Sequence, residues 1–132
     1  MGSSKNGKTI LVIEDEDALQ EAIRRKLSVA GYNVLYAGTA ERGLEILEHG
    51  VPYPDLIWLD LLLPGMGGFQ LLELMRTNPS FKDIPVMVAS VSASPEKIQR
   101  AFRLNIVEYI VKSEHRLEDI VKKVDGLLGT PD

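Results

Sequence analysis

Short aliphatic runs alternate along this chain with segments whose apolar residues recur at helical spacing. A continuous apolar run is typical of a strand buried on both faces, whereas the wider spacing indicates the buried side of a helix. The alternation has a period of about 20 to 30 residues, which favours consecutive strand–helix units and a mostly parallel sheet. The strand segments are residues 10–13, 33–36, 56–59, 86–89 and 107–111. The pattern therefore predicts an α/β domain of five strand–helix units.

Residues with strong conformational preferences mark the ends of the predicted helices. Serine and threonine favour the N-cap, proline favours the first helical position, and glycine or asparagine favours the left-handed turn after a helix. The signals are Gly31 after the first helix, Thr39 and Gly50 around the second, Asn78–Pro79 after the third, and Ser94–Pro95 and Asn105 around the fourth. The fifth helix is predicted over residues 115–128, and residues 51–54 are predicted to form a rigid connection.

Length and composition exclude several classes of protein. A chain of 132 residues fits one domain, and a domain of that size buries enough surface to fold without disulfides. The sequence has no cysteine, which excludes thiolate metal sites and cysteine nucleophiles. The formal net charge of -4 argues against a nucleic-acid-binding surface, and no apolar segment approaches the length of a membrane span. We therefore expect a cytoplasmic domain over residues 8–129, with residues 1–7 forming a tag or a disordered N-terminus.

Polar side chains follow four of the predicted strands at the point where each strand ends. Glu14 and Asp15 follow the first strand, Asp60 follows the third, Ser90 the fourth and Lys112 the fifth. The carboxyl ends of parallel strands lie at one edge of the sheet, where open α/β sheets bind their ligands. Taken singly, each residue has a structural explanation, such as a helix N-cap, a turn residue or a solvated lysine. Their occurrence together predicts a common site.

The chemistry of this set favours phosphoryl transfer. Three carboxylates placed together repel one another, and burial raises the pKa of at least one of them unless a cation compensates. Carboxylate oxygens are ligands that Mg²⁺ prefers, so the set predicts a divalent ion, with Mn²⁺ as an alternative. Asp60 is then placed to attack phosphorus as a nucleophile, while Lys112 and Ser90 contact the transferred oxygens.

Four segments of the chain carry a recognisable family pattern. They are residues 10–15 (ILVIED), residues 54–60 with 63–66 and 68–69 (PDLIWLD, LPGM and GF), residues 85–90 (PVMVAS) and residues 109–112 (YIVK). The most specific is Asp-x-x-x-Pro-Gly-Met-x-Gly, which begins at Asp60. Together they resemble the response-regulator receiver domain, the phosphoacceptor module of two-component signalling, and the resemblance covers essentially residues 8–128.

The resemblance implies a fold and a set of site residues. The fold is flavodoxin-like, a doubly wound (βα)5 domain with strand order 2-1-3-4-5 and helices on both faces of the sheet. Asp60 is implied to be the phosphoacceptor. Asp15, Asp60 and the backbone carbonyl of Leu62 are implied to bind Mg²⁺ directly, with Glu14 acting largely through water. Lys112 is implied to contact the phosphoryl group.

The resemblance also implies partners and a switch. Asp60 is expected to receive its phosphoryl group from a sensor histidine kinase, a phosphotransfer protein or a small phosphodonor. Ser90 would then move toward that group and Tyr109 would turn inward. The surface of the fourth helix, fifth strand and fifth helix would change for an output partner or a homodimer. Domains of this class are signalling switches and not metabolic enzymes, because their activity is limited to their own phosphorylation and autodephosphorylation.

Three departures from the family pattern bear on the mechanism. Val91 follows the predicted switch serine, where a small residue is usual, so we expect slow autodephosphorylation. Asn105–Ile106 replaces the usual Gly-Ala and places a larger side chain against Tyr109. Ser113 replaces the proline that commonly follows Lys112, which predicts a looser loop or a trans peptide.

Two alternative functions compete with this interpretation. A pseudo-receiver would keep the fold and act through constitutive contacts without a phosphoryl cycle, and the three departures favour it. An Mg²⁺-dependent phosphatase would need a second acid/base aspartate two residues after the nucleophile, and position 62 is leucine. The chain fits a stand-alone receiver and an excised N-terminal domain equally well.

Overall fold

Five parallel strands form one sheet. The structure, a computed structural model, describes residues 7–50 and 53–129. The strands are β1 (Thr9–Ile13), β2 (Asn33–Ala37), β3 (Leu56–Leu59), β4 (Val86–Ser90) and β5 (Glu108–Val111), in the order β2-β1-β3-β4-β5. Each strand differs from its predicted bounds by at most one residue at either end. The predicted fold class and strand order are confirmed.

Helices follow the strands at the predicted places. They are α1 (Asp17–Val29), α2 (Ala40–Glu48), α3 (Gly68–Thr77), α4 (Pro95–Arg103) and α5 (Leu117–Leu128). The Thr39 hydroxyl accepts a hydrogen bond from the Arg42 amide at 3.0 Å, which confirms the cap of α2. Ser94 caps α4 with Pro95 as its first residue. Asn105 has a φ of 62°, so it makes the left-handed turn predicted after α4.

The fifth helix begins two residues later than the sequence predicts. Lys112–Glu114 forms a short 3-10 helix directly after β5, and His115 and Arg116 have extended backbone before Leu117. A 3-10 turn is tighter than an α-helical turn, so it accommodates the change of direction between strand and helix. The prediction of helix at residues 115 and 116 was therefore wrong, and Ser113 lies within the 3-10 turn.

The sheet separates two hydrophobic cores because successive strand residues point to opposite faces. One core lies under α2, α3 and α4 and includes Leu11, Ile13, Ile57, Leu59 and Val88. The other lies under α1 and α5 and includes Ile10, Val12, Leu56, Trp58 and Met87. Every residue of β1 and β3 is buried, and each such aliphatic side chain contributes about 1.5 to 3 kcal/mol relative to exposure. The carboxyl ends of these two strands are consequently held firmly in place.

Some predictions concern residues outside the described part of the chain. The segment assigned to a tag or a disordered N-terminus lies there except for Gly7, as do Val51 and Pro52 of the predicted connection. The rest of that connection is packed, since the Tyr53 ring meets the Phe81 ring edge to face with centroids 6.0 Å apart. The domain limits of 8 and 129 stay a prediction. Among the helices of residues 7–50 and 53–129, none is long and apolar enough to cross a membrane.

Candidate functional site

The parallel register places the ends of β1 and β3 side by side. Ile13 pairs with Leu59, and the Asp60 amide donates to the Ile13 carbonyl at 3.1 Å. Glu14 and Asp15 continue directly from β1 and therefore lie beside Asp60. One carboxylate oxygen from each of the three residues lies within 4.8 Å of the others. The structure thus brings together the acidic residues that the sequence places at one edge of the sheet.

Lys112 reaches this acidic cluster from the end of β5. Its Nζ lies 2.6 Å from Glu14 Oε1 and 3.2 Å from Asp60 Oδ2. Glu14 is 1% exposed and Asp60 is 5% exposed, while the lysine side chain is 16% exposed. The ammonium group therefore bridges two buried carboxylates. Removing the lysine from such a buried arrangement is costly, because it leaves two buried carboxylates without compensation.

Glu14 has protein partners on both carboxylate oxygens. Oε1 faces Lys112, and Oε2 accepts from the Glu16 amide at 3.1 Å. Gln20, on α1, donates from Nε2 to the carbonyls of Glu14 at 2.8 Å and Ala37 at 3.1 Å, which joins the ends of β1 and β2. Sequence reasoning missed Gln20, since a glutamine on a helix gives no signal of a contact with two strand ends. The protein itself orients Glu14.

The charges at the site are unbalanced. Burial raises the pKa of Asp60, although the Leu62 amide, 3.0 Å from Oδ1, and the charge of Lys112 oppose the change. Burial alone would lower the pKa of Lys112, but the contacts with Glu14 and Asp60 outweigh it and raise that pKa. Asp15 is exposed and has no hydrogen bond or ion pair with the described residues. The site thus holds three carboxylates and one lysine, which contacts two of them, and the excess negative charge suits a divalent cation.

Hydrogen bonds around Ser92 connect the predicted switch residues. The Ser92 amide donates to Ser90 Oγ at 3.3 Å, and the Ser92 carbonyl accepts from the Tyr109 hydroxyl at 2.9 Å. Ser92 Oγ accepts from the amide of Ser94, the N-cap of α4, at 3.3 Å. Ser92 was not predicted to belong to the site. The available signal was the Ser-x-Ser-x-Ser spacing, because a serine hydroxyl readily accepts from an amide two residues further on.

Val91 and Ile106, which depart from the family pattern, do not disrupt the contacts of Ser90 and Tyr109. Val91 is 61% exposed, so its side chain lies at the surface next to Ser90. Ile106 is 6% exposed and belongs to the core against which the half-buried Tyr109 packs. Because the Tyr109 hydroxyl is bonded to Ser92 in this arrangement, Ile106 does not exclude Tyr109 from this position.

The loop between β3 and α3 approaches Asp60 closely. The Gly68 amide donates to the Leu61 carbonyl at 3.1 Å, and a Cβ on Gly68 would lie 2.6 Å from the Asp60 carbonyl oxygen. Glycine is therefore required where the loop closes. Leu62 lies in this loop and donates its amide to Asp60 Oδ1. The role of the Leu62 carbonyl as a metal ligand stays a prediction.

Comparison with known proteins relates the site to a family. Residues 10–125 match the sequence model described as the response regulator receiver domain. Response regulator Rcp1 of Synechocystis sp. is 30% identical over 135 residues, which cover 91% of this chain and 86% of Rcp1. The crystal structure of the phosphorylated cyanobacterial phytochrome response regulator RcpA has a TM-score of 0.81 at 28% identity, covering 96% of this chain and 97% of that chain. The Mn(2+)-bound form of response regulator Rcp1 has a TM-score of 0.78 at 28% identity, covering 91% of each chain.

Other curated relatives are longer than this chain. The phosphate regulon transcriptional regulatory protein PhoB of Pseudomonas aeruginosa is 30% identical over 106 residues, which cover 80% of this chain and 45% of PhoB. The chain spans about half the length of this and similar relatives. The likeness therefore concerns one part of those proteins, and the activities of their other parts do not carry over.

Proposed function

The chain belongs to the response regulator receiver domain family, and on that basis we propose that Asp60 accepts a phosphoryl group and thereby changes the surface of α4, β5 and α5. The observation that carries the proposal is the Lys112 ammonium, 2.6 Å from Glu14 Oε1 and 3.2 Å from Asp60 Oδ2 in a buried acidic site. This contact favours the ionised, nucleophilic form of Asp60. One ammonium group does not balance the three carboxylates of the site, so it keeps the excess negative charge that a cation-dependent site requires.

A divalent cation would be held by Asp15, Asp60 and the backbone carbonyl of Leu62, with Mg²⁺ as the expected ion and Mn²⁺ as the alternative. When bound, such an ion neutralises charge on the phosphoryl oxygens and orients them. The exposed Asp15 and the spacing of the three acidic oxygens within 4.8 Å support this assignment. The Mn(2+)-bound form of the similar Rcp1 supports it as well. Because Glu14 already has two protein partners, its contact with the ion would run through water.

The proposed transfer uses Asp60 as the nucleophile and needs little proton chemistry. One Asp60 carboxylate oxygen forms a bond to phosphorus while the bond from phosphorus to the donor breaks, and the leaving group keeps the electron pair. The donor is the phosphohistidine of a sensor histidine kinase or phosphotransfer protein, or a small phosphodonor. Lys112 keeps its contact with Glu14 and exchanges its contact with Asp60 for one with a phosphoryl oxygen, which stabilises the charge that develops there.

The proposed switch begins at Ser90. For its hydroxyl to reach the phosphoryl group, Ser90 must release the Ser92 amide, and this alters the contacts that Ser92 makes with Tyr109 and Ser94. A local charge is thereby communicated to the start of α4. The face of α4, β5 and α5 also exposes apolar side chains that suit an output partner or a homodimer. These are Phe102, Val107 and Leu127.

Cation binding is tested through Trp58, which lies in β3 two residues before Asp60. We expect its fluorescence to change on addition of Mg²⁺ and to change again with beryllium fluoride, a phosphoryl mimic. Asp60→Asn should abolish the second change, because the mimic then lacks its carboxylate. No response in the wild-type protein at millimolar Mg²⁺ would overturn the proposed function.

Val91 gives a prediction about the lifetime of the phosphoryl group. Because this branched side chain lies at the surface beside Ser90, we expect it to restrict the approach of water to phosphorus. Val91→Ala should therefore speed autodephosphorylation roughly three- to tenfold. The decay of the phosphorylated form, followed by intact mass, measures this rate. Val29→Ala is a suitable control, since Val29 is also exposed but is the last residue of α1, away from the switching face. An unchanged lifetime in Val91→Ala would contradict the expectation.

The described residues offer no support for the pseudo-receiver alternative. Val91 lies at the surface, and Ile106 packs in the core without displacing Tyr109. Asp60, Asp15, Ser90 and Lys112 all occupy the edge of the sheet where the reaction would take place. The departures are therefore expected to change rates, not to remove the phosphoryl cycle.

A further inference from the structure

Glu41, on the first turn of α2, contacts the loop between β3 and α3. Its Oε2 accepts a hydrogen bond from the Met66 amide at 3.1 Å, although the two residues are 25 positions apart. The same carboxylate covers Gly65, where a Cβ would lie 3.0 Å from Oε2. Gly65 has a φ of 68°, so the backbone turns at this point in a conformation that favours glycine. Two observations thus place the Glu41 carboxylate directly over the far turn of the loop.

The near end of the same loop lies at the candidate site. The Leu62 amide donates to Asp60 Oδ1 at 3.0 Å, and the Gly68 amide closes the loop onto the Leu61 carbonyl at 3.1 Å. Contacts within the β3–α3 segment therefore fix both ends of the loop. Glu41 supplies a contact to its far turn from a separate element.

That separate element is firmly packed. Ala40 and Leu47 of α2 are fully buried in the core that lies under α2, α3 and α4, and the Thr39 hydroxyl caps the helix. A side chain carried by a packed helix is positioned more precisely than one carried by a loop, so it can fix the loop that it contacts. Glu41 is thus supported by a rigid part of the fold.

We propose that Glu41 is a positioning residue for the candidate cation site, acting through the β3–α3 loop on the backbone carbonyl of Leu62. The inference rests on the proposed function, since it takes that carbonyl as a cation ligand. Groups that orient a ligand without touching the ion commonly change metal affinity when they are removed. Glu41 would therefore affect cation binding without contributing an oxygen to the ion.

Three variants separate this positioning role from two simpler explanations, the loss of a negative charge and the loss of any exposed acid from α2. They are Glu41→Ala, Glu41→Gln and Glu45→Ala. Glu45 is also an exposed acid on α2, but its carboxylate pairs with Arg42 of the same helix at 3.1 Å. Glu41→Ala and Glu41→Gln remove the same negative charge from the same place, so they change the long-range electrostatic attraction of a cation alike, and Glu45→Ala removes a negative charge from the same helix. Glutamine keeps an oxygen that can accept from the Met66 amide, whereas alanine does not.

Mg²⁺ affinity, read from Trp58 fluorescence, should fall about three- to fivefold in Glu41→Ala, in line with the net contribution of one typical hydrogen bond. It should recover in Glu41→Gln and stay near the wild-type value in Glu45→Ala. Amide hydrogen exchange at Met66, measured without cation, should be faster in Glu41→Ala only.

Three outcomes would overturn the positioning role. They are wild-type affinity in Glu41→Ala, equal loss in the alanine and glutamine variants, and equal loss in Glu45→Ala. By contrast, a wild-type protein that binds no Mg²⁺ while Met66 exchange still responds to Glu41→Ala would overturn the proposed function, and with it the part of this inference that concerns the cation.

Discussion

Lys112→Met is expected to destabilise the protein by about 3 kcal/mol and to abolish phosphoryl acceptance. The ammonium group lies 2.6 Å from Glu14 Oε1 and 3.2 Å from Asp60 Oδ2, and both carboxylates are almost completely buried. Methionine fills a similar volume, so the loss comes from the two carboxylates that remain without a cation. Urea denaturation measures the free energy of unfolding, and intact mass after treatment with acetyl phosphate measures acceptance.

Two comparisons make this result specific. Mg²⁺ should restore part of the lost stability in Lys112→Met, because a divalent ion replaces the missing positive charge. Lys123→Met is the matched control, since Lys123 is half-exposed with its Nζ 4.0 Å from Glu108. We expect it to change the free energy of unfolding by less than about 0.5 kcal/mol. A Lys112→Met protein as stable as the control, and still phosphorylated, would contradict the assigned geometry.

Asp60→Asn is expected to abolish acceptance and yet to stabilise the cation-free protein at neutral pH. Burial raises the pKa of Asp60 above its ordinary value of 3.8, so the folded state holds this proton more tightly than the unfolded state does. Ionisation of Asp60 therefore costs stability. The cost is absent below the ordinary pKa, and it grows as the pH rises through the raised pKa of the folded protein.

The pH dependence of the free energy of unfolding tests whether ionisation of Asp60 causes the difference in stability. Below about pH 3 the wild-type and Asp60→Asn proteins should be equally stable, and the variant should become the more stable one as the pH rises toward 7. Mg²⁺ should then stabilise the wild type more than the variant. Asp55→Asn is the control, because the Asp55 carboxylate accepts from the Thr9 amide at 2.8 Å and lies outside the acidic cluster of Glu14, Asp15 and Asp60. A variant less stable than the wild type at pH 7 would show that the site tolerates its buried charge.

The sheet was predictable because local and long-range signals agree. The apolar runs of β1 and β3 are buried on both faces, and they are too short to be typical of a buried helix. Thr39, Ser94 and Asn105 carry out the capping roles that their side chains favour. Helix α5 was placed too early because the amphipathic pattern does not reveal the 3-10 turn before it.

The candidate site was predictable in position but not in its internal pairing. Parallel strands bring their ends to one edge, so the proximity of Glu14, Asp15 and Asp60 follows from the order of the elements. Which carboxylate receives Lys112 depends on side-chain conformation, and the sequence does not encode that in any local signal. Its contact with Glu14 at 2.6 Å was therefore not foreseen.

The supporting contacts are non-local and were missed for the same reason. Gln20 reaches the ends of β1 and β2 from α1, and Glu41 reaches the Met66 amide from α2. Both residues look like ordinary solvated helix positions in the sequence. Ser92 was easier to predict, because its spacing from Ser90 and Ser94 is a known turn pattern.

Intact-mass measurement after incubation with Mg²⁺ and acetyl phosphate tests the central claim most directly. The wild-type protein should gain the mass of one phosphoryl group, the gain should disappear when Mg²⁺ is removed by a chelator, and Asp60→Asn should show none. A wild-type protein that gains no mass, or an Asp60→Asn protein that gains as much as the wild type, would contradict the assignment of Asp60 as the phosphoacceptor.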